Sequence, residues 1–193
     1  MKHFHDYIDG WFDFGDFYLE VVENYIGENG IFVEVGAWLG KSLSCLGVEV
    51  INSKKNIKIY SVDTWKGSEE HKTVDGCRSY EVFNAVKNDT LFDMFWKNID
   101  PIKDVVTPIK LSSVEAAKTF EDNSIDFIFL DASHKYSDVR NDLNAWYPKI
   151  KKGGIFAGHD YGWDEVKAAL EEFGSINNIT IYPKSTSSWM FTV

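Results

Sequence analysis

Two cysteines, four prolines, two arginines and no long apolar run are the scarcities of this 193-residue chain, and each removes a class of protein. Cys45 and Cys77 cannot build a disulfide framework or a four-thiolate zinc site, and so few thiols suit a reducing compartment, with the cytoplasm the expectation. Arg78 and Arg140 are the only arginines, and 30 acidic against 20 basic residues leave a formal charge of -10. Nucleic acid needs a dense basic face and an anionic membrane surface needs a basic one, so neither partner is expected. No segment approaches the ~20 apolar residues that span a bilayer. The first residues, MKHFHDYIDGWFDFGDF, carry acids where a signal peptide would be uninterruptedly apolar, so the expectation is a soluble, unprocessed protein. Internal repeats, low-complexity tracts and linkers rich in Pro, Gly or Ser are missing too. A chain of this length suffices for one well-buried core rather than two, so 1–193 reads as a single domain.

What the chain has is alternation. Phe17 to Tyr25 spaces its apolar residues as a helix does, and IFVEV at 31–35 is short and dense in β-branched and aromatic residues, as a strand is. The pair recurs. Residues 41–51 put Leu43, Leu46 and Val50 on one helical face before the strand IKIYSVD (57–63), and Tyr80 to Ile99 reads as one helix before a short strand in VVTPIK. Ser112 and Glu115 form a capping box for a helix through Phe120. IDFIFLD (125–131) is the most hydrophobic strand and is expected at the centre. A helix from about Ser137 to Trp146 leads through a Lys-Lys-Gly-Gly turn to the strand IFAGHD, and a helix at 164–173 follows. NITIYP and SWMFTV, joined by a short polar link, should pair antiparallel. The pattern predicts an α/β fold: a Rossmann-like, doubly wound, mostly parallel sheet with helices on both faces and a C-terminal antiparallel hairpin. Outside the repeat lie an N-terminal helical and aromatic cap (1–28), with Tyr7, Trp11, Phe12 and Phe14, and a polar stretch at 66–80 of the kind that makes a lid loop.

Ligands of such sheets sit at the carboxyl ends of the strands, where the strand order reverses. FVEVGAWLGKS (32–42) is the first such end. Gly36 and Gly40 leave the turn bare, so that backbone can approach a ligand, and the helix that follows offers unpaired N–H groups. Trp38 stands where G-x-G-x-x-G has its middle glycine, which disfavours a pyrophosphate and with it a dinucleotide. Glu34 adds a negative charge beside the turn, suited to an ammonium or sulfonium group. Asp63 closes the second strand, where a carboxylate grips ribose hydroxyls. A ribose without a pyrophosphate points to S-adenosylmethionine. Glu34 and Asp63 could each be an ordinary polar strand end; together with the glycines they are harder to read that way.

EVGAWLGKS, VDTW, LDASHKY and GGIFAGHDY together resemble class I S-adenosylmethionine-dependent methyltransferases, over most of the chain from Phe32 to Tyr161. The first motif looks like that of catechol O-methyltransferases. The wider pattern, GWFDF before the first strand and D-x-x-H-x-Y followed by GHDY, is similar to the small group containing the macrocin O-methyltransferases and cephalosporin hydroxylase-like proteins. The resemblance implies a methyltransferase domain over 1–193 that takes S-adenosyl-L-methionine and methylates a small-molecule acceptor, at a hydroxyl of a sugar or phenolic compound. By position it implies that Gly36, Ala37 and Trp38 line the methionine part of the cofactor, with Gly40 and Ser42 at the helix start nearby. Asp63 would bind the ribose, Trp65 would pack against the adenosine, and Ser112 or Ser113 would lie at the adenine edge, although the capping box accounts for Ser112 equally well.

The fourth and fifth strand ends would bring Asp131, His134, His159 and Asp160 to one edge, with Asp131 beside both cofactor and acceptor. In the catechol group two acids and an amide at the matching positions hold magnesium, which binds and acidifies the acceptor hydroxyl. Here Asp131 and Asp160 supply carboxylates and His159 takes the place of the second acid; imidazole favours zinc, manganese or iron, or no metal. His134 lies at the position of that group's basic lysine, and its unperturbed pKa of ~6.5 suits proton removal at neutral pH. His134 is therefore the expected general base, with Asp131 and His159 beside it in the catalytic set. His3, His5 and His71 read as solvated histidines. Two alternatives stay open: a module that binds S-adenosylmethionine or another nucleoside without transferring methyl, and an NAD-dependent oxidoreductase on the same sheet. The acceptor, the divalent metal (magnesium, manganese or zinc) and the oligomeric state, with a homo-oligomer one option, are not set by the sequence.

Overall fold

A computed structural model describes residues 1–185 and 187–193, with the backbone alone at 69 and 70. Its centre is a seven-stranded sheet. The strands are β1 (Gly30–Val35), β2 (Ile57–Asp63), β3 (Val106–Lys110), β4 (Ile125–Leu130), β5 (Ile150–Gly158), β6 (Tyr182–Pro183) and β7 (Trp189–Thr192). Their order is β3-β2-β1-β4-β5-β7-β6, so the direction of winding reverses between β1 and β4. The first five strands run parallel, and β7 pairs antiparallel with both β5 and β6. IDFIFL is the middle strand of the seven, as its hydrophobicity predicts: a strand covered on both faces has no polar side to keep.

The helices are α1 (Gly15–Asn24), α2 (Lys41–Ser53), α3 (Val74–Cys77), α4 (Tyr80–Lys87), α5 (Leu91–Asn98), α6 (Ser113–Ala117), α7 (Tyr136–Trp146) and α8 (Asp164–Asn177). Successive strand residues point to opposite faces, and the two cores follow that alternation. Phe32, Phe127 and Phe129 pack with Tyr18 of α1, Leu43 of α2 and Phe95 of α5. Val33, Val35 and Ile128 pack on the other face with Leu143 and Trp146 of α7 and Leu170 of α8. No helix among the described residues is long and apolar enough to cross a membrane.

Three local expectations fail, each for a visible reason. The helix expected over 80–99 is two helices, because Asp89 adopts φ 56° between α4 and α5; Asn-Asp-Thr at 88–90 is chemistry that favours turns. The Lys-Lys-Gly-Gly segment is part of β5, where the β4 register shifts between Ile125 and Phe127 and Gly153 (φ 83°) bonds through its N–H to Val193 O. Ser112 caps α6 with backbone alone, and Glu115 turns to Lys118 at 2.6 Å instead of completing a capping box. The stretch at 66–80 is ordered, a 3₁₀ turn over Glu69–Lys72 followed by α3, with Thr73 accepting from Gly76 N–H. The antiparallel pairing of the last two strands holds, with Tyr182 opposite Met190 and Pro183 opposite Trp189; the link between them includes position 186, which lies outside the described residues.

Candidate active site

The turn after β1 is shaped by its neighbour strand. Gly36 has φ 96°, and a Cβ there would lie 1.8 Å from the backbone oxygen of Asp131, so the end of β1 can pass the end of β4 only without a side chain. Two residues on, Trp38 also takes a left-handed conformation (φ 48°), which costs free energy in a bulky residue and needs fixing. Asp63 fixes it. Its carboxylate accepts the Trp38 N–H at 2.8 Å through one oxygen and the Trp65 N–H at 2.8 Å through the other, and the Trp65 indole N–H donates to Trp38 O at 2.9 Å. The ends of β1 and β2 are thereby latched together. Burial raises the Asp63 pKa against these backbone N–H groups, which pull it down.

Glu34 departs from its expected place. Strand alternation puts it on the α1/α2 face with Phe32, fully buried, where the Tyr18 hydroxyl bonds it at 2.6 Å and the Ser42 hydroxyl at 3.0 Å. Burial pushes its carboxyl up to about 8, against the two hydroxyls. It is therefore a largely neutral group under the turn, and not the fixed charge beside a ligand that the sequence suggested. Trp65 is also buried rather than on a ligand wall, wedged against Phe92 and Phe95 at ring separations of 4.7 and 4.6 Å. Gly40 begins α2 at φ 85° and faces Ile99 and Phe95.

A cavity of about 590 Å³ opens at the carboxyl ends of β1, β2, β4 and β5. Gly36, Ala37, Trp38, Ser42 and Asp63 line one side, and Asp131, His134, His159 and Asp160 line the other. Ser113 is in the wall and Ser112 is not. The Ser113 hydroxyl accepts the Trp146 indole N–H at 2.9 Å, and it helps hold down the nearby Asp142 carboxyl, which burial nevertheless pushes up to about 6.

The strand-end cluster divides its two histidines. His134 Nε2 lies 2.9 Å from Asp160 Oδ2. His159 has Nδ1 3.2 Å from Asp160 and 3.6 Å from Asp131, and Nε2 3.1 Å from Asp13, which also accepts from Ser187. Burial disfavours charge on His159, but hydrogen bonds to Asp131 and Asp160 outweigh it and raise the imidazole to about 11. Both nitrogens of His159 face carboxylates, which favours its charged form. The metal set expected from sequence is corrected: the donors that converge within 4.8 Å of one another are Asp131, His134 and Asp160. Burial would raise Asp160, yet hydrogen bonds from His134 and His159 hold it well below the usual carboxylate range. Burial raises Asp131 despite its bond to His159. Asp160 itself has φ 59°, a second left-handed non-glycine in the cavity wall after Trp38.

The N-terminal segment and the stretch at 66–80 both reach the cavity wall, and other wall residues had no individual signal in the sequence. His71 stacks on Trp38 at 3.9 Å, so it is not a solvated histidine. Trp163, 54% exposed, lies with its ring 4.6 Å from that of His134. Lys41, Leu111 and, from the N-terminal segment, Asp9 to Trp11 complete the mouth. Trp163 follows GHDY by two positions and could have been found by extending that motif; His71 needed the fold of 66–80.

Residues 33–161 match the family model described as a methyltransferase domain. The chain belongs to this methyltransferase family. Its motifs and sheet resemble those of class I S-adenosylmethionine-dependent methyltransferases, and the solved structures share that sheet. The O-methyltransferase NovP superposes with a TM-score of 0.68 over 92% of this chain and 78% of its own, at 16% identity. CalS11, titled a TDP-rhamnose 3'-O-methyltransferase of calicheamicin biosynthesis, gives 0.60 over 92% and 76%, at 14% identity. An uncharacterized protein of Acanthamoeba polyphaga mimivirus is 29% identical over 133 residues, 67% of this methyltransferase and 51% of its own length. The methyltransferase spans about half or less of the curated relatives it matches.

Proposed function

We propose that this methyltransferase transfers a methyl group from S-adenosylmethionine to a hydroxyl of a small molecule, a sugar or a phenol. One observation carries the reading: a single cavity joins the Gly36–Trp38 turn and the Asp63 carboxylate to the Asp131–His134–Asp160 cluster. The residues fit the cofactor. A Cβ at Gly36 is sterically forbidden, Asp63 offers a carboxylate for hydroxyls, and the volume suits a ligand of this size. When bound, the cofactor supplies an electrophilic methyl group on a sulfonium sulfur. Because the strand order runs β3-β2-β1-β4, a ribose held at Asp63 directs the base toward Leu111 and Ser113 after β3, and the methionine toward Gly36 and Asp131.

The acceptor then lies toward His134. Asp160 orients that imidazole at 2.9 Å and stabilises the cation formed when the ring takes the hydroxyl proton. The O-methyltransferases among the similar folds support oxygen as the acceptor atom. A second reading rests on the same three side chains: Asp131, His134 and Asp160 could together hold a divalent ion, and such an ion would supply Lewis acidity at the acceptor oxygen. Calorimetry with S-adenosylhomocysteine and with NAD tests the cofactor. Binding of the former alone is expected; binding of NAD in its place returns the oxidoreductase alternative, and S-adenosylhomocysteine binding without turnover on any acceptor pool returns the non-catalytic one.

A further inference from the structure

The outward side of α2 carries a second group of donor side chains that methyl transfer does not use. Residues 1–10 run along this helix as a strap. The Asn52 amide donates to Met1 O at 3.0 Å, His3 Nε2 meets Glu49 Oε1 at 2.9 Å, and a Cβ at Gly10 would lie 3.6 Å from Lys41 Cβ. Asn52, Glu49, Cys45 and Lys41 fall on successive turns of one helical face, so the strap runs antiparallel to α2 and lays His3 and His5 over Cys45. One donor atom of each of His3, His5 and Cys45 lies within 4.8 Å of the other two.

The bonding around these rings is incomplete in a particular way. His5 Nδ1 is buried and has no hydrogen-bond partner among the described residues, a condition that disfavours the fold if nothing meets it. His5 Nε2 faces Asp6 at 3.6 Å, and His3 Nε2 is held by Glu49, which leaves the Nδ1 of each ring for another partner. A carboxylate behind each imidazole is the arrangement that orients histidine ligands at metals. Cys45 is 4% exposed and forms no disulfide.

We propose that His3, His5 and Cys45 form a binding site for a thiophilic divalent ion of the zinc class, with Glu49 orienting His3. Two imidazoles and a thiolate are a tetrahedral zinc donor set with one position left for water. Bond lengths of ~2.0 to 2.3 Å bring such donors to roughly 3.5 Å apart, so the three groups close slightly on the ion. The thiol proton leaves to solvent as the sulfur binds. The Asp131–His134–Asp160 cluster contains no sulfur, so the two sites are chemically distinct. Since the strap ends in Asp9, Gly10 and Trp11 of the cavity wall, the ion would pin one lip of the methyltransferase cavity.

Cobalt(II) titration of the full chain tests this, because a thiolate bound to cobalt absorbs in the near ultraviolet and oxygen or nitrogen ligands do not. The expected result is a charge-transfer band that saturates near one equivalent and is displaced by zinc. Cys45→Ala should abolish it, Cys77→Ala should leave it intact, and His3→Ala, at a partly exposed side chain, should weaken binding roughly tenfold or more. Absence of the band in the wild type, its survival in Cys45→Ala, or unchanged affinity in His3→Ala overturns the site. Circular dichroism identifies a variant that has not folded; should Cys45→Ala be one, His3→Ala alone decides.

Discussion

Asp63 does two things with one carboxylate: it latches the Trp38 and Trp65 amides and faces the cavity. Asp63→Ala should therefore weaken S-adenosylhomocysteine binding by roughly tenfold or more, since a charged acceptor to hydroxyls contributes ~1.5 to 3 kcal/mol, and calorimetry on the folded variant reads it. Ser113 poses a question of polarity. It accepts from the Trp146 indole N–H and lines the cavity, and its second lone pair can accept from the amino group of adenine. Competition between S-adenosylhomocysteine and its deaminated inosine analogue should favour the former in the wild type, and Ser113→Ala should erase the preference. Glu34 leaves a signature in stability against pH. Its folded pKa of about 8 exceeds the unfolded 4.5, so its contribution is complete below about 4.5 and lost as pH rises to about 8. The urea midpoint of the wild type should fall across that window relative to Glu34→Gln; parallel curves would show the carboxyl ionised throughout. For His134, alanine should cut methyl transfer by roughly 10²- to 10⁴-fold with cofactor affinity nearly intact if it is the base. If an ion does the work, chelation abolishes turnover and a divalent ion restores it.

The turns, more than the helices, decide where these residues stand. Gly36→Ala must push a methyl group into Asp131 O from a left-handed conformation, so thermal midpoint and cofactor affinity should fall together; Gly162→Ala, with nothing within 4 Å, should change neither. An unaltered midpoint in Gly36→Ala would mean the β1 and β4 ends do not approach as described. This turn was legible because two glycines after an apolar strand have few other uses. Period-two alternation also contained the fate of Glu34, which shares the face of Phe32, although its place beside the glycine turn suggests a ligand. The break at Asp89 was less visible: apolar spacing continues across it from Phe83 to Phe95, and a single left-handed residue does not disturb that pattern. Nor could Lys151 and Lys152 announce that Gly153 would be met by Val193 from a strand forty residues later.

At the scale of the molecule, the parallel core was readable from five strand and helix alternations, and its order was not. Parallel neighbours are chosen by which faces the crossovers cover, and only the packed helices show that. The convergence of Asp131, His134, His159 and Asp160 followed from strand ends alone, whereas the different settings of the two histidines depend on Asp13, which belongs to the GWFDF motif but whose approach to β5 only the fold shows. The surface excess of acid that spoke against nucleic acid leaves the cavity mouth with Lys41 among its few cations. The placement of β7 between β5 and β6 has a kinetic side. Among the described residues β6 pairs with β7 alone and keeps its other edge bare, whereas β7 is bonded on both sides. Pairing within the hairpin is local and can form early, but opening starts at the bare edge and runs toward β5. Amide hydrogens of Tyr182 and Lys184 should exchange before those of Met190 and Phe191, a gradient of opening running inward across the sheet.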